Sequence, residues 1–421
     1  MELKPGYKLT EVGVIPEDWK VKSLQELADK ITVGIASAAT HAYRDRGVPL
    51  IRNQNIKPNE LDDGDILYIA EDYESRFKNK RLQAGDLLTA RTGYPGTTCI
   101  IPEKFESAQS FTTLITRPRK GVVNNRFLSF FINSDLGQNF FEQNQIGGGQ
   151  KNVNAGTLRQ LKIPVPPAKE QTAIATALSD VDELLRSLDR LIAKKRDIKQ
   201  ATMQQLLTGK TRLPGFDGEW KVERLGNSCE LITKGTTPTS LGRPFTNSGV
   251  NFLKAESILE NGEPLQEKMT FIDEATHKIL ERSQLKSGDL LISIAGVLGR
   301  VGRVSQTILP ANTNQALAII RLGSSSNLKQ DFLFHSLRSS MTLRQITDVN
   351  VKGAQANISL QDVQALEIHV PPTIPEQAEI AQVLSDMDTE IATLEQRRDK
   401  TRALKQGMMQ QLLTGRIRLK H

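Results

Sequence analysis

This chain has little cysteine, few aromatics and no long apolar run. Among 421 residues there are two cysteines, Cys99 and Cys229. They do not occupy matching places in the internal repeat described below and cannot build a disulfide framework, so a reducing compartment is expected. No run approaches the ~20 apolar residues of a membrane helix, and the opening Met1-Glu2-Leu3-Lys4-Pro5-Gly6 lacks the apolar core of a secretory leader. A cytoplasmic chain without a membrane partner is the expectation.

Catalytic signatures are also missing. His41, His277, His335, His369 and His421 are scattered without ligand spacing, so no metal site is expected. Gly209-Lys210-Thr211 ends like a phosphate-binding loop, but the glycine needed five places earlier is Gln204. Gly296, Gly299 and Gly302 stand three apart, which is not the dinucleotide fingerprint. No Asn/Asp-Pro-Pro-aromatic tetrapeptide of the amino-methyltransferase kind occurs. The acid pairs Asp62-Asp63 and Asp386/Asp388 read as solvated charge. A non-catalytic chain with no cofactor of its own is expected.

What is present is charge, length and repetition. With 55 Lys and Arg against 48 Asp and Glu, the formal charge is +7. That leans towards a polyanionic partner. At this length two or more domains are expected. The organising element is a long helical pattern used twice. Apolar residues recur at Ile174, Leu178, Val181, Leu185, Leu188 and Ile192, and again at Ile380, Leu384, Met387, Ile391 and Leu394. Steps of three and four mark one buried seam. Gln171 and Gln377, Leu178 and Leu384, and Gly209 and Gly415 are each 206 apart, so no insertion separates the copies. Prolines and an acid (Glu170, Glu376) mark the helix starts, and Gly209 and Gly415 suit left-handed C-terminal caps. The seam is interrupted at Lys194-Lys195-Arg196 and Arg397-Arg398. It is expected to resume at Ile198 and Leu404, and Leu178 to Leu188 are expected to face Ile380 to Leu394. Interspersed acids argue against a helix lying on anionic lipid.

The repeat extends outward. Trp19-Lys20-Val21 recurs as Trp220-Lys221-Val222, and Gly85-Asp86-Leu87-Leu88 as Gly288-Asp289-Leu290-Leu291. Short strands are expected at 49–52, 65–70, 86–90 and 110–116, then at 250–254, 289–295 and 316–321. An apolar helix is expected over 125–141 and over 328–345. The fold class is therefore α+β: two similar globular domains, each followed by a long helix, with the two helices pairing as an antiparallel coiled coil. The expected boundaries are 1–165, 166–212, 213–370 and 371–421.

Three features together resemble the specificity subunits of type I restriction–modification systems. They are the Val-Pro-Pro…Glu-Gln-x-x-Ile-Ala-x-x-Leu-Ser-Asp pattern (Val165 to Asp182, Val370 to Asp388), the Met-Gln-Gln-Leu-Leu-Thr-Gly endings (Met203 to Gly209, Met409 to Gly415) and the Gly-x-Ile-Pro-x-x-Trp opening (Gly13 to Trp19). The resemblance covers the whole chain, in order, twice. It implies two target-recognition domains, each reading half of a split double-stranded DNA site. It also implies that the helices space them and dock two methyltransferase subunits, which carry S-adenosylmethionine, with a restriction–translocase subunit joining for cleavage. Base reading draws on Arg, Lys, Asn and Gln at base edges and on phosphate contacts. The candidates in the first domain are Arg52, Asn53, Arg91, Tyr94, Lys151 and Asn152, with Gly147-Gly148-Gly149 for close backbone approach. In the second they are Lys234, Thr236, Thr237, Lys254, Arg300, Arg303, Lys352 and Gln355. A coiled-coil scaffold whose globular domains bind proteins is the competing reading; salt-sensitive binding to a specific duplex separates the two.

Overall fold

A computed structural model describes residues 3–37, 39–144, 152–350 and 357–419. The chain divides into two compact units: Met1–Leu188 with Arg397–His421, and Asp189–Gln396. Each unit thus contains a stretch of both long helices.

In the first unit, β1 (Lys20–Ser23) is followed by β2 (Ala28–Val33), β3 (Val48–Ile51), β4 (Leu67–Ile69), β5 (Leu87–Thr89), β6 (Thr98–Ile100), β7 (Gln109–Ser110) and β8 (Leu114–Pro118). Helices α1 (Asn125–Ile132) and α2 (Asp135–Gln143), strand β9 (Lys162–Val165) and the long α3 (Ala168–Leu206) complete it. One sheet has the order β2-β8-β5-β6; a second places β3 between β7 and β4. The single strand expected over 110–116 is two strands in different sheets. Thr112, with φ of +51°, turns the chain between them. The helix expected over 125–141 is also two. Ser134 ends the first and caps the second, its Oγ accepting from the Gly137 N–H at 3.5 Å. Strand β2 had no counterpart among the expected strands.

The second unit repeats the plan. It contains β10 (Lys221–Arg224), β11 (Cys229–Lys234), β12 (Val250–Leu253), β13 (Thr270–Ile272), β14 (Leu290–Ser293), β15 (Val301–Arg303), β16 (Ala311–Thr313) and β17 (Leu317–Leu322). These lead to α4 (Gln330–Leu337), α5 (Ser340–Asn350), β18 (Glu367–Val370) and α6 (Ile374–Leu412). Its main sheet, β11-β17-β14-β15, has the order seen in the first unit, and β12 again lies between a parallel neighbour, β16, and an antiparallel one, β13. The apolar helix expected over 328–345 is likewise split, into α4 and α5.

The Gly-Asp turn before β5 and β14 has a definite task. Gly85 and Gly288 adopt φ of +86° and +90°. The aspartates that follow are buried, and each receives a two-pronged arginine: Arg117 onto Asp86 at 2.9 and 2.8 Å, Arg321 onto Asp289 at 2.7 and 2.6 Å.

Helices α3 and α6 are each 39 residues long, so each spans roughly 58 Å at ~1.5 Å per residue. In the first unit Ile174, Ala175 and Leu178 share a core with Met408, Met409, Leu412 and Leu413, and Asp182 meets Lys405 at 2.5 Å. In the second, Met203, Leu206 and Leu207 share a core with Ile380, Ala381, Leu384 and Met387. There Lys195 pairs with Glu390, Arg196 with Glu395, and Lys199 with Asp388. The two stretches run antiparallel within each unit. This register corrects the expectation that Leu178 to Leu188 face Ile380 to Leu394: Leu178 instead meets the end of α6, in the core shared with Leu412 and Leu413. Of the expected seam, Ile174, Leu178, Leu188, Ile192, Ile380, Leu384 and Ile391 are buried, while Val181, Leu185, Met387 and Leu394 are half-buried. The seam does not resume at Ile198 and Leu404, which are 41% and 61% exposed. The neighbouring Lys199 and Lys405 are instead turned inward, their ammonium groups reaching Asp388 and Asp182.

Candidate nucleic-acid interface

The frame that carries the variable loops closes on buried carboxylates at the helix starts. Glu170 and Glu376 do more than complement a helix dipole. Glu170, 5% exposed, accepts from Trp19 Nε1 at 3.1 Å and from Arg418 Nε and Nη2 at 2.7 Å each; Arg418 also grips Asp18. These two carboxylates hold the Arg418 guanidinium well above its ordinary pKa. In the second unit, Glu376 receives Arg212 at 2.5 and 2.8 Å. The capping glycines stack beside the tryptophans: Gly209 and Gly415 both have φ of +69°, and a Cβ on Gly415 would lie 2.5 Å from Pro16. The pairs Glu170–Arg418 and Glu376–Arg212 are related by the same 206-residue offset, as are Asp182–Lys405 and Asp388–Lys199.

Three of the first domain's candidate residues form one network, and a fourth lies next to it. Asn53 Oδ1 accepts the Arg91 backbone N–H at 2.8 Å, and its Nδ2 donates to Thr112 Oγ1 at 3.3 Å. Arg91 Nε donates to Asn152 Oδ1 at 2.9 Å, while the Arg91 carbonyl accepts from Val153. Next to Asn53, Arg52 reaches Asp65 through Nη2, at 2.8 Å to the carboxylate and 3.0 Å to the carbonyl. Tyr94 stands apart on a turn, 83% exposed. Lys151 and 147–149 lie outside the described residues.

In the second domain, Thr236 N–H donates to the Thr313 carbonyl, Thr236 Oγ1 accepts from Arg282 at 3.1 Å, and Thr237 Oγ1 donates to Gln315 Oε1. Thr313 Oγ1 donates to the Leu253 carbonyl at 3.0 Å, which brings Lys254 alongside; its Nζ lies 4.6 Å over the Phe245 ring. Lys234, at the end of β11, is exposed. Arg300 is committed to the carbonyls of Ala255 and Ile258. Arg303 is committed to Asp331 and Glu263 and stacks 4.9 Å over Phe334. Arg300 thus stands beside Lys254, next to Ala255 in the chain, whereas Arg303 is not gathered with Thr236, Thr237 and Lys254. Lys352 and Gln355 lie outside the described residues. The sequence reading missed Gln54, Asp65, Arg282 and Gln315; a polar side chain beside a candidate is the one signal that pointed to them.

Neither thiol is poised for chemistry: burial pushes both Cys99 and Cys229 up to about 12. No cluster of three or more metal-ligating side chains occurs among the described residues, and no helix among them is long and apolar enough to cross a membrane.

Residues 16–194 and 217–401 each match the family model of the type I restriction modification DNA specificity domain. The chain belongs to this family. It is a type I DNA-specificity chain with the specificity domain present twice. It is 27% identical to a putative type I restriction enzyme MjaX specificity subunit of Methanocaldococcus jannaschii, over 99% of this chain and 97% of that one. It is 22% identical to the EcoKI specificity subunit of Escherichia coli, over 96% and 90%. Among solved structures, a type I restriction–modification S subunit from M. genitalium shares the fold with a TM-score of 0.60 at 14% identity, covering 97% of this chain and 99% of that one. A chain from a structural study of complex assembly and conformational transition in a type I system gives 0.59 at 19% identity, covering 96% and 99%.

Proposed function

We propose that each specificity domain reads one half of a split DNA site, and that α3 and α6 pair as an antiparallel coiled coil. The coil sets the gap between half-sites and docks two methyltransferase subunits. Those partners would carry S-adenosylmethionine and the chemistry, a restriction–translocase subunit would join for cleavage, and this cytoplasmic chain would supply recognition alone. The reading takes 1–165 and 213–370 as recognition domains and 166–212 and 371–421 as the helices.

The carrying observation is the contrast between frame and loops. Buried and half-buried pairs repeat at one 206-residue offset around the helices. The loops they support do not repeat: Arg52 on Asp65 in one domain stands against Lys254 on Phe245 in the other. A constant frame with two different reading surfaces fits two unlike half-sites. The matches to DNA-specificity domains do not favour the protein-binding scaffold.

Exchange of Met1 to Leu161 for the same region of a relative tests the reading. Methylome sequencing should show one half of the methylated site changed and the other kept. A change in both halves, or in neither, would overturn it.

A further inference from the structure

The turn carrying Asp62, Asp63 and Asp65 looks hostile to DNA by sequence. In the fold each acid has a cation: Lys57 lies 3.9 Å from Asp62, Lys104 meets Asp63, and Arg52 meets Asp65. The turn therefore presents no net negative charge to a phosphate backbone.

Asp65 differs from its neighbours in what it organises. Its Oδ2 accepts from Arg52 Nη2 at 2.8 Å and Gln54 Nε2 at 2.9 Å. Its carbonyl accepts from Arg52 at 3.0 Å and Asn55 at 3.0 Å. Asn55, 2% exposed, also caps the Arg52 N–H at 2.9 Å, so the base of the cluster is rigid. The Asp65 side chain itself is 70% exposed. Among the described residues its Oδ1 accepts no hydrogen bond and Arg52 Nη1 donates none. The pair thus leaves one acceptor and one donor without a partner among the described residues, on side chains 70% and 23% exposed and fixed to each other.

We propose that Asp65 is a specificity-determining residue that, with Arg52, reads a single G·C base pair. In the major groove guanine shows the O6 and N7 acceptors, and its paired cytosine shows the N4 donor. A guanidinium beside a carboxylate matches both edges at once, and the carboxylate rejects thymine, which shows an acceptor there. In the second domain Lys254 holds the place of Arg52, its N–H capped by Ser257 as Arg52 is by Asn55, but it lies over Phe245 and forms no salt bridge among the described residues. Asp65 therefore belongs to what distinguishes the two half-sites and not to the shared frame.

The proposal rests on the reading that the first domain reads one half-site. The test uses the full chain with its methyltransferase partners in cells, carrying Asp65→Ala or Asp65→Asn, with methylome sequencing. Asp65→Ala should relax one G·C position of one half-site, narrowing discrimination there by roughly 5- to 150-fold. Asp65→Asn, now donor as well as acceptor, should admit adenine at the cytosine position. The other half-site should not change. An unchanged site in both variants would reduce Asp65 to a brace for Arg52, and uniform loss of methylation at every site would make it structural; either overturns the proposal alone. If deletion of the whole chain left the methylome intact, the reading beneath it would fall instead.

Discussion

Glu170→Gln is the sharpest probe of the frame. The substitution keeps the shape of the side chain but replaces an acceptor-only carboxylate, 5% exposed, with an amide. With its oxygen at the Oε2 position it can still receive both Trp19 Nε1 and Arg418 Nη2, whereas its NH2 faces Arg418 Nε, which now sits 2.7 Å from the other carboxylate oxygen. Hydrogen bonds to charged groups contribute about 1.5–3 kcal/mol each in favourable settings. Asp18 retains its grip on Arg418, and the guanidinium is partly exposed, which discounts the one lost bond. A net loss of about 1–2 kcal/mol is expected. The chain has two tryptophans, Trp19 in the first unit and Trp220 in the second. In a Trp220→Phe background, tryptophan fluorescence reports the first unit alone, which avoids assuming that the whole chain unfolds in one step. With m near 2–3 kcal/mol per M urea, the Trp19 transition should move down by about 0.5 M. The Trp220 transition, read in a Trp19→Phe background, should stay in place. A Trp19 shift below about 0.2 M would refute the claim that this carboxylate fastens the end of the frame.

Two further outcomes follow from the same geometry. His335 is buried beside Lys199 and Arg338, and burial first, then those cations, lowers it to about 3; its folded pKa lies below the unfolded ~6.5, so the unfolded state binds the extra proton, and stability present above pH 6.5 should fall by up to ~1.4 kcal/mol per pH unit towards pH 3. His335→Gln should flatten that slope in denaturation midpoints, and an unaltered slope would assign it elsewhere. Adding four helix-forming residues between Ser187 and Ile192, with four more near Thr393 to Arg398, lengthens each helix by ~6 Å, so the methylated half-sites should separate by about two base pairs at roughly 10–10.5 base pairs per 34–36 Å, and an unchanged gap with full methylation would remove the spacer role.

Sequence exposed the frame because its signals are local. The 206-residue offset and the glycines at 209 and 415 mark helices that end three residues earlier, at Leu206 and Leu412. Tertiary partners were hidden. Periodicity says that Leu178 is buried but not by what, so its placement against Ile380 to Leu394 was wrong, and Leu412 and Leu413 share its core instead. It also ranks Ile198 above Lys199 for a seam, although Lys199 is buried because Asp388 and the loss of water round its stem favour that face. The same blindness affects the loops. Arg303 and Arg91 look alike in sequence, yet Asp331 claims one and Asn152 is hydrogen-bonded to the other, from 28 and 61 residues away.

The equality of the two helices has a mechanical reason that heptads alone do not supply. Apolar contacts tolerate a shift of one heptad, because a leucine meets another leucine. Half-buried ion pairs are less forgiving, since a displaced partner leaves a partly desolvated charge uncompensated. Asp182 and Lys199 are 17 residues apart on α3, and Asp388 and Lys405 are 17 apart on α6. Asp182 pairs with Lys405 in the first unit and Lys199 with Asp388 in the second, so in the proposed antiparallel coil the two separations must match. In that coil, lengthening one helix alone between these positions would pull at least one lysine from its carboxylate. On that proposal a change in length is tolerable only when made in both copies together, which accounts for a repeat in which the loops differ while both helices keep 39 residues.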